Sequence, residues 1–594
     1  MNRACEPHDL DDRVLRDRAV AAARGDAPFD LLIAGGTLFD AVTAELRPAD
    51  IGIVGPLVAS VHAPAARHDA VERLDATGGV VTPGLIDTHM HIESSMITPA
   101  HYAEAIVPRG VTTVVWDPHE LANVHGLAGV DWAVEATHDL PLRVIVQAPS
   151  CVPAAPGFER SGAAFGGDEL EALLSRPEIG GVAEVMNMRG VIDRTMPVTD
   201  IVQEGLAAGK PVSGHARGLS GPDLAAFAVA GISSDHELTS ADDLMEKLRA
   251  GMTIEMRGSH DHLLPDFVQA LNALGHLPPT LTLCTDDIFP DDLLHHGGLD
   301  DVVRRLIRYG MPPSWALRAA TFNAALRLRR LDLGVVAPGR RADLAVFADL
   351  RDVRASHVVA NGAVVGVEGR KAVPVPATAT EALRDSVHAP SFTAEDFCVR
   401  SNARRVRVAT IDRPRFTRWG EAETRVENGH VVPPPGATLI GVVHRHGRAA
   451  PVPRTGFLTG WGAWRGAFCT SVSHDSHNLT AFGADPADLA VAVNAVIAMQ
   501  GGMAVVADGK VTAALPLPLS GLLSDAPLTT VGRDFAAIRS AMDDIVDWQP
   551  PYLVFKACFG ATLACNAGPH QTDQGIADVA RGTLLESPIL DILA

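Results

Sequence analysis

Residues 85–95 read LIDTHMHIESS, a short apolar run that ends in His89-x-His91. In an extended segment, residues two apart point to the same side, so both imidazoles can reach one ion. The same design recurs further along the chain. Short apolar runs end at Glu184 in GVAEVMN, His215 in VSGHARG, His236 in GISSDHE and Asp286 in TLCTDD. Barrel enzymes place their catalytic groups at the C-terminal ends of parallel strands. Six side chains in this pattern predict a site for two metal ions and lead to a metal-dependent hydrolase. Glu184 can bridge the ions with its two oxygens, and the carboxylates offset the repulsion between two cations. Imidazole and carboxylate together suit zinc, iron or manganese, and the absence of cysteine argues against a purely soft-metal site. Each residue also has a plain structural reading. A buried histidine is usually a satisfied core residue, and an aspartate after a strand often caps a helix, a role open to Asp287. Those readings would have to hold together at five separate strand ends.

Eight runs outward from this stretch read as strands: 79–89, 111–118, 142–149, 181–186, 211–215, 231–236, 252–258 and 280–287. Helix-like segments such as DIVQEGLAAG and ADDLMEKLRAG intervene. Alternation of this kind implies a parallel sheet, and eight units close a (β/α)₈ TIM-like barrel. The fold class expected is α/β. Residues 81–334 form the barrel, and 28–80 pair with 335–390 in a small β-sandwich domain. A helical segment occupies 1–27 and a C-terminal α/β domain occupies 391–594. Pro-rich VPVPATAT at 373–380 reads as the linker before that last domain.

Composition narrows the partners. The 594 residues carry a net charge of −21, which argues against nucleic acid or an anionic membrane surface. Seven scattered cysteines without a CxxC pair suit a reducing cytoplasm. The N-terminus is charged throughout and reads as a peripheral amphipathic helix, not a signal peptide. The longest apolar stretch, 489–507, is interrupted by Asn494, Gln500 and Gly501-Gly502. It reads as a buried helix, a glycine break and a strand.

The motif GLIDTHMHIESS resembles the first-strand metal motif of the amidohydrolase superfamily, and 321–347 is similar to the segment where its barrel returns to the small β domain. More narrowly, the chain resembles the bacterial adenine deaminase family in 91–126, VAEVMN, 213–237, CTDDIFPDDLL, SVSHDSHN, LPLPLSGLLSD and TDQGIADV. Cyclic-amide hydrolases of the superfamily usually carry a carboxylated lysine after the fourth strand; here Glu184 stands in GVAEVM. The chain also lacks the HxE…PCxxC signature of the zinc nucleobase deaminases. EMRGSH at 255–260 and 555–571 depart from the family pattern.

The resemblance implies hydrolysis of adenine to hypoxanthine and ammonia, with a metal-bridged hydroxide attacking C6 in a binuclear site. Its ligands would be His89, His91, Glu184, His215, His236 and Asp286. Two divalent ions are implied, Mn²⁺ or Fe²⁺ first and Zn²⁺ also acceptable. The substrate is a small purine base, and a homodimer or higher homo-oligomer is expected. Asp286 would take the hydroxide proton and pass it toward the leaving group. Glu120 or His119, in WDPHE beside Asp117, would meet the purine edge and supply the proton that ring nitrogen N1 gains. Glu93, Ser94 and Ser95 would hydrogen-bond the substrate or the groups behind it. Two other readings compete. One is a metal-dependent amidohydrolase acting on another C–N bond of a small cyclic or N-acyl substrate; the other is an inactive scaffold, which would have lost ligands. Late in the chain, His474, Asp475 and His477 cluster in SHDSHN. They read as a second metal site, a cap over the barrel mouth or a hydrogen-bonded turn.

Overall fold

The computed structural model describes residues 7–377, 379–548 and 551–593. At its centre lies a curled parallel sheet. Its strands are Leu85–Met90 (β1), Val111–Trp116 (β2), Arg143–Ala148 (β3), Ile179–Val185 (β4), Val212–Gly214 (β5), Ser234–Asp235 (β6), Thr253–Arg257 (β7) and Leu281–Cys284 (β8). One ladder runs β1 to β5 and a second runs β6 to β8, every pair parallel. β1, β2 and β3 are buried along their whole length. Such runs form because helices cover one face of a parallel sheet while its inner side chains fill the other. The helix Ala241–Arg249 is one example. Ser240 caps its N-terminus by accepting from Asp243 N–H at 3.2 Å, and Leu244 and Lys247 turn inward.

The two ladders meet at both ends. Asp286 N–H donates to His89 O at 3.0 Å, and Met90 and Asp286 form a parallel bridge. Across the other gap, Ser233 N–H donates to Val212 O at 3.1 Å. Asp87 strengthens the first seam, accepting from Thr285 N–H at 3.0 Å and its hydroxyl at 2.6 Å.

The run 79–89 expected as one strand is two. Val80–Pro83 pairs antiparallel with Leu344–Phe347 and parallel with Thr37–Asp40, whereas β1 begins at Leu85. Pro83 cannot donate to a ladder, and Gly84 passes so close to β2 that a Cβ there would lie 2.2 Å from Thr112 Oγ1. The chain therefore changes sheets at Gly84. Through these pairings, strands before and after the curled sheet join in one seven-stranded sheet. It shares a core with the four-stranded sheet that contains Phe29–Ala34 and Asp50–Val54, through Leu31, Ile51, Val81, Leu344 and Val346.

The C-terminal part is built on a largely antiparallel ten-stranded sheet, backed by the helix Pro486–Ala498. The apolar stretch 489–507 runs from that helix into the strand Gly502–Ala507. Gly502 has φ 123°, and a Cβ there would meet Leu515 O at 2.0 Å, which explains the glycine. The helix Arg13–Arg24 lies near the N-terminus, capped by Asp12 and ended by Gly25. Among the described residues, no helix is long and apolar enough to cross a membrane.

Candidate active site

The six ligand candidates converge at one end of the curled sheet. His89 and Glu184 lie just inside the ends of β1 and β4; His91, His215, His236 and Asp286 follow β1, β5, β6 and β8. None is more than 4% exposed. His89 Nε2 lies 3.6 Å from Glu184 Oε1 and 3.5 Å from Asp286 Oδ1. His91 Nε2 lies 3.3 Å and 3.4 Å from the same two oxygens. The other oxygen of Glu184, Oε2, faces His215 Nδ1 at 2.7 Å and His236 Nε2 at 3.3 Å. Two donor groups therefore share Glu184, each through a different oxygen.

This donor set fits cations. His91 Nδ1 lies 3.0 Å from the backbone carbonyl of Asp117. That carbonyl can only accept, so the proton sits on Nδ1 and the Nε2 lone pair faces the Glu184 and Asp286 oxygens. Acceptors facing acceptors in a buried site call for a positive charge between them. The titration of the groups expresses the same demand. Burial alone would lower the His89 imidazole, but Asp286 and Glu184 outweigh it and raise the pKa to about 10. His91 is likewise raised well above its usual value, against burial, by Asp286 and Glu184. Burial pushes the carboxylates up, yet Glu184 is held well below its usual range, chiefly by His236 and His215. His89 Nε2, His215 Nε2 and His236 Nδ1 are buried without a hydrogen-bond partner.

Asp286 has φ 57°, in the left-handed region that aspartate tolerates better than most residues. Its Oδ2 pairs with Arg257, whose other arm pairs with Glu237. Burial raises the Asp286 carboxyl, but the Arg257 charge, His89 and His91 pull it well below the usual range. Sequence reading gave Arg257 and Glu237 no role. The available signal was Arg257's position at the end of β7, a strand end that, like that of β3, carried no candidate. Asp287, free in principle to cap the next helix, instead accepts from the Ser94 hydroxyl at 2.6 Å and faces Arg257 at 3.6 Å.

Behind His215 and His236 lies a second missed unit. Asp235 accepts from Ala216 N–H at 2.6 Å and Glu237 N–H at 3.1 Å, and pairs with the wholly buried Lys247 at 2.8 Å. It thus ties together the residues that follow both histidines.

The WDPHE residues stand beside this centre. His119 packs edge-on to His91, with ring centroids 4.8 Å apart, and its Nδ1 lies 3.0 Å from Asp117 Oδ2. Glu120 is fully buried, 3.4 Å from the Ser94 hydroxyl. Glu93 accepts from Trp116 Nε1–H at 2.6 Å and Leu121 N–H at 3.3 Å, and the Ser95 hydroxyl donates to Ile92 O. A cavity of about 200 Å³ opens onto the centre, lined by His91, Glu184, His236, Asp286 and His119, with His474 and Asp475 from the C-terminal part. A larger open cleft of about 1220 Å³ touches none of the six ligand candidates and is set aside as the reaction site.

Histidines and carboxylates gathered at the C-terminal ends of a curled parallel sheet form the arrangement of an amidohydrolase, and the amidohydrolase family model matches residues 80–365. The model of the adenine deaminase C-terminal domain matches residues 414–583. A relative named adenine deaminase 2, from Agrobacterium fabrum, is 66% identical over 591 residues, covering 100% of this chain and 99% of its own. An adenine deaminase of Klebsiella pneumoniae is 51% identical over 568 residues, covering 95% and 94%. A solved amidohydrolase structure overlays 57% of this chain and 99% of its own at TM-score 0.43 and 18% identity. The chain belongs to the adenine deaminase family.

Proposed function

We propose that the protein hydrolyses adenine to hypoxanthine and ammonia at the cavity above Glu184. The observation that carries this reading is the sharing of Glu184, one oxygen toward His89, His91 and Asp286 and the other toward His215 and His236. His89, His91, Glu184 and Asp286 would hold one divalent ion; Glu184, His215 and His236 would hold the other. Manganese and iron lead, and zinc also accepts these donors. Bound ions would supply a water-derived nucleophile at neutral pH, by lowering the pKa of water from about 15.7 to about 7.

The chain's own residues do the rest. Asp286 takes the proton of the attacking water and passes it toward the leaving amine; Arg257 keeps that carboxylate ionised and aimed. His119, which lines the cavity, would meet the purine edge, and Asp117 and Glu120, buried beside it, complete that wall. Glu93 holds that wall through Trp116 and Leu121, and Ser94 joins Glu120 to Asp287. Polar groups buried in this way reject a ligand that leaves them unpaired.

The same proposal includes a closed (β/α)₈ barrel over 81–334, a β-sandwich domain from 28–80 and 335–390, and a separate C-terminal domain over 391–594. The seam bonds at Asp286 and Ser233 support the closure. A cytoplasmic site fits the six described cysteines, all free thiols. A homo-oligomer, at least a dimer, follows the general preference for symmetric assemblies. Ammonia release from adenine, adenosine and cytosine, alongside ring opening of a cyclic amide, measured on protein loaded with Mn²⁺, Fe²⁺ or Zn²⁺, tests the function. Turnover should be confined to adenine; a fully loaded protein that only opens the cyclic amide would overturn the proposal.

A further inference from the structure

The loop Ser473–Asn478 brings two donors of the C-terminal part, half-buried His474 and buried Asp475, against the end of β2. His119 Nε2 lies 3.5 Å from Asp475 Oδ1, and His474 Nδ1 lies 3.4 Å from that same oxygen. The donor atoms of His119, His474 and Asp475 all lie within 4.8 Å of one another. We propose that His119, His474 and Asp475 form a site for a third divalent transition-metal ion, which joins the C-terminal part of the chain to the mouth of the curled sheet.

Three observations carry this. The first is spacing. Hydrogen bonds between such atoms span about 2.7–3.2 Å, so these gaps are too wide for them. Two donors each about 2.0–2.2 Å from a tetrahedral ion lie roughly 3.3–3.6 Å apart. The donors around Glu184 show the same spacing, 3.3 to 3.6 Å for His89 and His91.

The second is the carboxylate behind His119. Asp117 Oδ2 lies 3.0 Å from its Nδ1, and both ring nitrogens are buried without a hydrogen-bond partner. A carboxylate behind a histidine is the usual support for a metal ligand. The third is unpaired polarity. His119 Nε2 and Asp475 Oδ2 have no hydrogen-bond partner, in residues only 2% and 1% exposed. Buried groups of this kind are costly unless something else satisfies them.

Glu120 Oε1, 3.7 Å from His474 Nδ1, stands near enough to complete the set as a second carboxylate. His477 stands outside it. Its Nδ1 accepts from Ser473 N–H at 3.1 Å, which puts the proton on Nε2, 3.8 Å from Glu120 Oε2. His477 therefore offers no lone pair to an ion. Two imidazoles with one or two carboxylates select zinc, manganese or ferrous iron over calcium or magnesium. An ion bound there favours the folded arrangement of the two halves, because the unfolded chain does not bring residues 119 and 474 together.

The test is metal stoichiometry on the full chain, stripped with a chelator, reloaded with Zn²⁺ or Mn²⁺ and freed of excess metal. The wild type should hold three ions per chain. His474→Ala and the nearly isosteric Asp475→Asn should each hold one fewer, with unchanged far-ultraviolet circular dichroism. His89→Ala/His236→Ala, which strips a ligand from each group around Glu184, should keep the third ion. Two ions in the wild type and two in Asp475→Asn would overturn this site and leave the paired site standing. Three ions in both would put the third elsewhere and overturn it equally. A wild type that binds none would sink both sites.

Discussion

Two clusters of histidines and carboxylates meet at this cavity, and they are held in different ways. The cluster around Glu184 is drawn from the ends of one sheet. Its members sit where parallel ladders finish, and backbone bonds such as Asp286 N–H to His89 O set their spacing. The cluster of His119, His474 and Asp475 joins the end of β2 to a loop more than three hundred residues later. No ladder connects those two segments among the described residues. Side chains and a backbone bond hold the loop instead: the Asn478 amide donates to Arg160 O at 2.8 Å, the Ser473 hydroxyl meets that of Thr562 at 2.8 Å, and His474 N–H donates to Phe559 O at 2.8 Å. A sheet fixes a site by topology, whereas a docked loop depends on every polar anchor beneath it.

The largest effect should come from the sheet-built cluster. Asp286→Asn keeps the size of the side chain and a coordinating oxygen, and it removes the carboxylate that takes the proton. Adenine turnover should fall by about 10²–10⁴-fold, the usual worth of a positioned acid or base. Metal bound at the loop-built cluster should be unaffected. Steady-state kinetics with metal analysis on the same preparation checks both. Near-normal turnover would remove Asp286 from the chemistry and with it the functional contrast between the clusters.

A smaller effect, on stability, should follow from the clamp under His215 and His236. Lys247 and Asp235 are both inaccessible to solvent, and Asp235 holds the backbone after each histidine. Lys247→Met leaves a buried carboxylate without its cation, a change that costs about 3–5 kcal/mol. Asp235→Asn/Lys247→Met removes both charges and should recover part of that loss, as the cross-term of a denaturation double-mutant cycle. Should Lys247→Met prove neutral, the sheet ends alone would suffice and the contrast between the clusters would sharpen further.

The same difference explains what could be read from the sequence. The ligands around Glu184 were legible because each closes a short apolar run, and a strand end is a local pattern. The sheet change at Gly84 was not. VVTPGLID is mostly apolar, and Pro83-Gly84 could not be told from a bulge within one strand until the partners of each half, Leu344–Phe347 and β2, divided it. Arg257 was missed because an arginine ending a strand has no signature apart from the aspartate it faces. Lys247 was hidden for a related reason: in ADDLMEKLRAG a lysine reads as solvent-facing until Asp235 arrives from the neighbouring strand. SHDSHN was visible as a cluster, but its partner His119 lies far away in sequence. Spacing within the motif could not choose among a metal site, a cap and a turn.

The mildest break tests the docking of the loop itself. Arg445 is fully buried, and burial pushes its pKa down to about 9. Its guanidinium donates to the carbonyl of His477, to Ser386 O at 2.9 Å and to Ser520 O at 2.7 Å. It thus joins the loop Ser473–Asn478 to two other segments at once. Arg445→Met keeps much of the bulk and leaves those carbonyls without their donor, at about 1–3 kcal/mol for each group that stays dry. Water can reach some of them once the loop loosens, so the net effect should sit at the low end and stay local. Amide hydrogen exchange should accelerate in 473–478 by roughly tenfold for each 1.4 kcal/mol lost, while the ends of β1, β4 and β8 keep their protection. Equal acceleration in both places would mean that the two clusters open as one unit, and that the sheet ends gain their rigidity from the loop that covers them.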